Sequence, residues 1–193
     1  GYNEGAQEPA EYDITPYLRK GRNTLAMLVI KYSDGYYLEG QDYWRLAGIF
    51  DDVYVYSAPK TRLVDWYVTT DLDKQYRDAE LNIEATVRSY EATPLKTPVK
   101  VKAVLTDSNG KTVAELESPD ASFESGSNTL TVNMAKTISN PLKWTAETPD
   151  LYELKMFLVD AVSGRSLSGY ANADARQDIG FKEVEIIDNV LYL

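Results

Sequence analysis

The chain predicts an all-β protein, and three observations carry the prediction. β-branched and aromatic residues recur in short runs, several runs alternate apolar and polar residues with period two, and turn dipeptides such as Asp34-Gly35, Asn109-Gly110 and Ser163-Gly164 separate them. The 193 residues suit one large or two small domains, and 44% apolar content is enough for packed cores.

Taken in order, the first sixty residues differ from the rest. "EYDITPYLRKGRNTLAMLVIKYSDG" offers a short helical turn at "ITPYLRKG" and one apolar strand, "TLAMLVIKY". The aromatic stretch "YLEGQDYWRLAGIF" and the β-forming run "DDVYVYSAP" follow. A sheet of two or three strands with this many large apolar groups has nothing obvious to pack against, so the segment is expected to dock elsewhere or to be half of a larger unit. A boundary is expected at residues 57 to 62, "SAPKTR", where Pro59 and polar neighbours interrupt the pattern.

Strand signals then follow without a break. "LVDWYVTT" spans 63 to 70; in "AELNIEATVRS", Leu81, Ile83, Ala85 and Val87 alternate with polar residues; "VKVKAVLT" at 99 to 106 does the same. "DSNGK" turns the chain into "TVAELE", predicting a hairpin. "NTLTVNM" at 128 to 134, "LYELKMFLVD" at 151 to 160 and "DIGFKEVEI" at 178 to 186 complete a set of seven strands. Seven short strands at this spacing predict an immunoglobulin-like β-sandwich, here without the cysteine pair of antibody domains.

Composition narrows the chemistry. There is no histidine and no cysteine, which removes Ser-His-Asp triads, thiol nucleophiles, structural zinc and disulfides. A net charge of -10 without a Lys/Arg block argues against nucleic acid and anionic membranes. No apolar run approaches the roughly 20 residues of a membrane span. The residues thus predict a soluble segment and leave its compartment open.

Carboxylates remain, and glycoside hydrolysis needs only two at a set separation. Most of the 30 acids fall at alternating strand positions or in turns, the pattern of a solvated surface. Asn3-Glu4 is the kind of dipeptide glycosidases use as acid/base, but no strand precedes it. Trp66 and Trp144 could stack on sugars, and are read as core or inter-domain residues instead. "DLDKQYRD", 71 to 78, lacks the glycine and closing glutamate of a calcium loop and reads as a charged turn. Asp42 stands out because it abuts Tyr43-Trp44-Arg45; alone it attracts a monovalent cation by only about 1 kcal/mol in water, so it needs partners or simply pairs with Arg45.

At this motif a resemblance emerges. "YSDGYYLEGQDYWRLAGIFDDVYVYSAP" resembles the end of the N-terminal sugar-binding jelly roll of glycoside hydrolase family 2, in its β-galactosidase branch, and the residues from "GYNEGAQEPAEYD" onward resemble the part before it. "NPLKWTAETPDLY" and "DIGFKEVEI" are similar to closing motifs of the family's immunoglobulin-like second domain. The resemblance implies an internal fragment: the C-terminal part of a galactose-binding-like jelly roll over 1 to 59, the sandwich over 60 to 187, and over 188 to 193 the start of a hairpin leading to a (β/α)8 catalytic barrel.

It further implies that the parent is a retaining β-galactosidase whose acid/base and nucleophile glutamates sit in that barrel, that this chain has no catalytic residue, and that its partners are the barrel, the other jelly-roll half and the β-galactoside, with homo-oligomerisation open. By the same resemblance Asp42 contacts substrate and helps hold sodium in the parent; magnesium is a further candidate ion there, and the fragment itself carries no cofactor. Tyr43, Trp44 and Ile49-Phe50 are expected to anchor that loop. Gly40 and Asp51 depart from the pattern, standing where an acid and an arginine are usual. Two other readings stay open: a stand-alone carbohydrate-binding or adhesion module, and a fragment of a family 2 mannosidase or glucuronidase.

Overall fold

The computed structural model describes the chain except residues 6, 7, 39, 41, 43, 45, 94, 170, 171 and 193. It divides into two compact units, Gly1–Tyr56 and Ser57–Leu193.

In the first unit, the Asp13 carboxylate accepts the Thr15 amide at 2.9 Å and opens a 3-10 turn over Thr15–Tyr17, with Pro16 where its fixed φ suits a first turn. Asn23 then clasps its own loop: its side chain accepts from the Arg19 amide at 2.9 Å and donates to the carbonyls of Arg19 and Gly21 at 2.8 and 3.0 Å. That closure needs the left-handed backbone of Gly21, φ +92°.

Two expectations fail here. Asp34-Gly35 is not a turn but the start of a short helix, α1, Asp34–Leu38. Gly35 keeps an ordinary negative φ, and Tyr36 donates to the Ser33 carbonyl at 3.2 Å, so the chain coils rather than reverses. Nor do residues 24 to 32 or 51 to 59 form strands: among the described residues of this unit there is no ladder at all. A strand exists only by pairing, and neither run finds an edge to pair with. The same shortage of neighbours leaves no described side chain of the unit buried, and Leu28 stands 87% exposed.

The second unit is the expected sandwich. β1 (Thr61–Leu72), β2 (Ala79–Ser89) and β5 (Thr129–Ile138) form one antiparallel sheet in the order β1-β2-β5. β3 (Val99–Thr106), β4 (Thr112–Glu117), β6 (Tyr152–Asp160) and β7 (Ala175–Ile179) form the other, in the order β4-β3-β6-β7. Period-two alternation selects the faces: Leu81, Ile83, Ala85 and Val87 point inward against Val101, Leu105, Leu154 and Met156, and all are essentially inaccessible.

Corners hold the sheets together. The Tyr152 hydroxyl, at the start of β6, accepts the Leu142 amide at 2.8 Å, and its ring meets the fully buried Phe181 edge-on at 5.1 Å. A tyrosine returning to upstream backbone at this corner is a hallmark of immunoglobulin-like sandwiches. Asp107 accepts the amides of Asn109 and Lys111, both at 2.9 Å, and Gly110 takes φ +78° to close the β3–β4 hairpin.

The last predicted strand is corrected. Residues 178 to 186 do not run as one: β7 ends at Ile179, Phe181 bridges in parallel to Lys143, and Glu185–Ile187 (β8) pairs with Val190–Tyr192 (β9) in a separate hairpin. The ladder stops there because Ile179 pairs with Tyr152, the first residue of β6, and Gly180 lies against Trp144 instead. Asp188 and Asn189, φ +50° and +63°, make the two-residue turn that suits the right-handed twist of a hairpin.

Candidate functional site

Asp42 lies four residues after α1, at an exposed turn. Its neighbours Gln41, Tyr43 and Arg45 lie outside the described residues, and with them the Asp42–Arg45 pairing. The expected anchor is not formed: Trp44 and Phe50 are both 81% exposed and Ile49 is 54% exposed. Anchoring requires an apolar surface to cover them, and this unit has no buried core to supply one.

Asp42 is a hard oxygen donor, which suits an alkali or alkaline-earth ion. One donor does not make a site, and among the described residues no three His, Cys, Asp or Glu side chains converge.

The other candidates resolve into structural roles. Asn3 forms a local turn with Gly5, donating to its carbonyl at 3.2 Å and accepting its amide at 3.1 Å, while Glu4 accepts the Tyr2 hydroxyl and thereby raises the Tyr2 pKa. Trp66 turns inward, its Nε1 donating to Gln177 Oε1 at 2.8 Å across the sheets. Trp144 packs on Gly180 with the Lys182 ammonium 4.9 Å from its ring centre. In the turn at 71 to 78, Asp73 accepts the amides of Gln75, Arg77 and Asp78 at 3.0, 2.8 and 3.2 Å. Those bonds, the Arg77 amide foremost, hold its carboxyl below the usual range.

Two constellations come from register rather than from motif. At one end of the sandwich, Glu183 accepts the Leu72 amide at 3.0 Å and Glu185 accepts the Tyr76 hydroxyl at 2.5 Å. These contacts tie the tract entering β8 back to the β1–β2 turn. On the outer face of the β1-β2-β5 sheet, Tyr67, Glu84 and Asn133 align in one cross-strand row, with Asn82 in the next. Alternation shows that these residues point outward, but only the pairing register places them side by side.

Sequence comparisons extend this picture. Residues 1–59 match the profile of the sugar binding domain of glycosyl hydrolases family 2, and residues 61–181 match a second profile of glycosyl hydrolases family 2. The chain is 37% identical over 191 residues to a β-galactosidase of Priestia megaterium, covering 99% of this chain and 18% of that protein. It is 39% identical over 196 residues to a β-galactosidase of Photobacterium profundum, covering 100% of this chain and again 18% of the relative.

Among solved structures, a family 2 member from Bacteroides cellulosilyticus DSM 14838 superposes with TM-score 0.55 and 18% identity over 66% of this chain and 16% of that one. Bacteroides uniformis β-glucuronidase gives 0.54 and 17% over 67% and 15%. At these identities the structural likeness is one of fold. Among the described residues no helix is long and apolar enough to cross a membrane.

Proposed function

The chain belongs to glycoside hydrolase family 2, and from that premise we propose that it is a non-catalytic scaffold of a β-galactosidase, presenting one loop to an active site built elsewhere in the protein. The observation that carries this is likeness along the whole chain to β-galactosidases of which it spans only 18%. The involvement of Glu4, Glu183 and Glu185 in local bonds agrees with it. The rival readings, a stand-alone module or a mannosidase or glucuronidase piece, are not favoured, because the relatives that this chain matches along its whole length are named β-galactosidases.

In this reading the sandwich is a rigid spacer whose outgoing tract is held by Glu183 and Glu185, and the catalytic glutamates reside in a barrel outside these residues. The exposed carboxylate of Asp42 supplies a hydrogen-bond acceptor for a sugar hydroxyl and one oxygen ligand for sodium, the remaining ligands coming from other segments. The sugar and the barrel are the partners this reading requires.

The test has two arms. The purified 193-residue chain should not turn over a nitrophenyl galactoside; turnover abolished by a substitution within the chain would sink the scaffold reading. In the full-length protein, Asp42→Ala should leave the melting temperature unchanged while lowering kcat/KM and blunting activation by sodium. An unaltered sodium response would remove the role given to Asp42.

A further inference from the structure

The two outer faces of the sandwich are built differently. On the β4-β3-β6-β7 sheet two acids sit in ion-pair clusters: Glu117 with Lys102 at 2.8 Å and Lys100 at 3.4 Å, and Glu153 with Lys155 at 2.6 Å and Arg176 at 3.4 Å. These contacts hold both carboxyls below the usual range, through Lys102 first for Glu117 and Lys155 first for Glu153. On the β1-β2-β5 sheet Thr86 and Thr131 share a hydroxyl–hydroxyl bond at 3.3 Å. Among the described residues, Tyr67, Asn82, Glu84 and Asn133 make no side-chain hydrogen bond or ion pair, although their register sets them beside one another.

These four side chains surround a shallow concavity of about 350 Å3 whose floor stays low at Ala135. Tyr67 stands at its wall, 70% exposed, pointing opposite to the inward Trp66 because successive strand residues alternate. The rows from Asp65-Thr86-Thr131 to Thr69-Asn82-Ala135 run about 13 Å along the strands, with three strands of breadth.

We propose that this face is a binding site for a neutral oligosaccharide, separate from the loop that carries Asp42. No basic side chain lines the concavity, so a phosphorylated or carboxylated ligand would meet Glu84 without a counter-charge. Its outward apolar surface is little more than Tyr67 and Ala135, too small to seat a hydrophobic peptide.

What it does offer matches a sugar. Each sugar hydroxyl is both donor and acceptor; the Asn82 and Asn133 amides supply both functions in a plane, Glu84 accepts, and the tyrosine ring presents a flat face to the C–H side of a pyranose.

The test is a titration of the 15N-labelled 193-residue chain with neutral tetrasaccharides (galacto-, gluco- and manno-configured) and with tetragalacturonate as the charged control. Saturable shifts are expected in the outward amides of β1, β2 and β5 with at least one neutral sugar, and none with tetragalacturonate. Tyr67→Ala should weaken binding by about tenfold and Tyr67→Phe by less than about threefold. An unchanged amide spectrum over β3 and β6 certifies that both variants fold. No saturable shift at about 10 mM of any neutral sugar, equal binding by the Tyr67→Ala protein, or equal binding of the charged control would each overturn the proposal.

Discussion

Gly180→Ala is the sharpest test of how the sandwich closes. A Cβ at residue 180 would sit 2.8 Å from Trp144 Cβ, 3.0 Å from its Cγ and 3.1 Å from its Cδ1. These are the root atoms of the tryptophan, so the strain cannot be relieved by swinging the far end of a side chain. Its backbone is tied down as well: the Trp144 amide donates to the Phe181 carbonyl at 2.9 Å, and Thr70 Oγ1 donates to the Gly180 carbonyl at 3.2 Å. Phe181, next in sequence, is fully buried against Tyr152.

Gly180 has no left-handed φ, so backbone conformation adds nothing to the cost and the effect is steric alone. Overpacking of this kind destabilises by about 1 to 3 kcal/mol, which for a unit of this size lowers its melting temperature by roughly 3 to 10 °C. Scanning calorimetry or urea unfolding followed by tryptophan fluorescence measures it. The mechanism predicts coupling: in a Trp144→Gly background, which removes the Cβ together with the ring, the same substitution should cost less by at least about 1 kcal/mol. A Gly180→Ala protein that melts within about 1 °C of the parent, or a cost undiminished in that background, would refute the steric argument.

Two further outcomes follow from burial and charge. Amides of residues 1 to 56 should exchange hydrogen far faster than those of β2, β3 and β6, because that unit buries no described side chain and each exposed large apolar group forgoes about 2 to 3 kcal/mol; equal protection in a dilute monomer would contradict this. The depressed carboxyl of Asp73, held by the Arg77 amide and its neighbours, contributes stability above the ordinary carboxylate pKa that is lost as pH falls through its lower folded value. Asp73→Asn should therefore lower the urea midpoint at pH 7 and flatten its decline below about pH 4; parallel curves for the two proteins would exclude the linkage.

How much was legible depends on which interaction decides each element. β2, β3 and β4 begin and end where the alternation does, because each has one face in the core and period two is what half-burial imposes on a sequence. β5 runs to Ile138, four residues beyond its apolar signal, because Ile138 still pairs with Ala79 of β2. The runs at 24 to 32 and 51 to 59 carry equal β propensity and form no strand, since propensity without a partner edge leaves backbone groups to water. Asp42 could be singled out by its motif, but its exposure and the exposure of Trp44 and Phe50 are properties of packing.

The order of amino acids alone carries the all-β class, six of the seven core strands with their inward faces, the family, and the chemistry that a chain without histidine or cysteine cannot perform. These are carried by local periodicity and composition, which need no knowledge of neighbours. Packing between elements decides that the β6–β7 ladder stops at Ile179 while Phe181 still enters the core, and that Tyr67, Asn82, Glu84 and Asn133 share one surface. Each of these depends on which residues meet across strands distant in sequence, and pairing of that kind is settled by register and steric fit between elements.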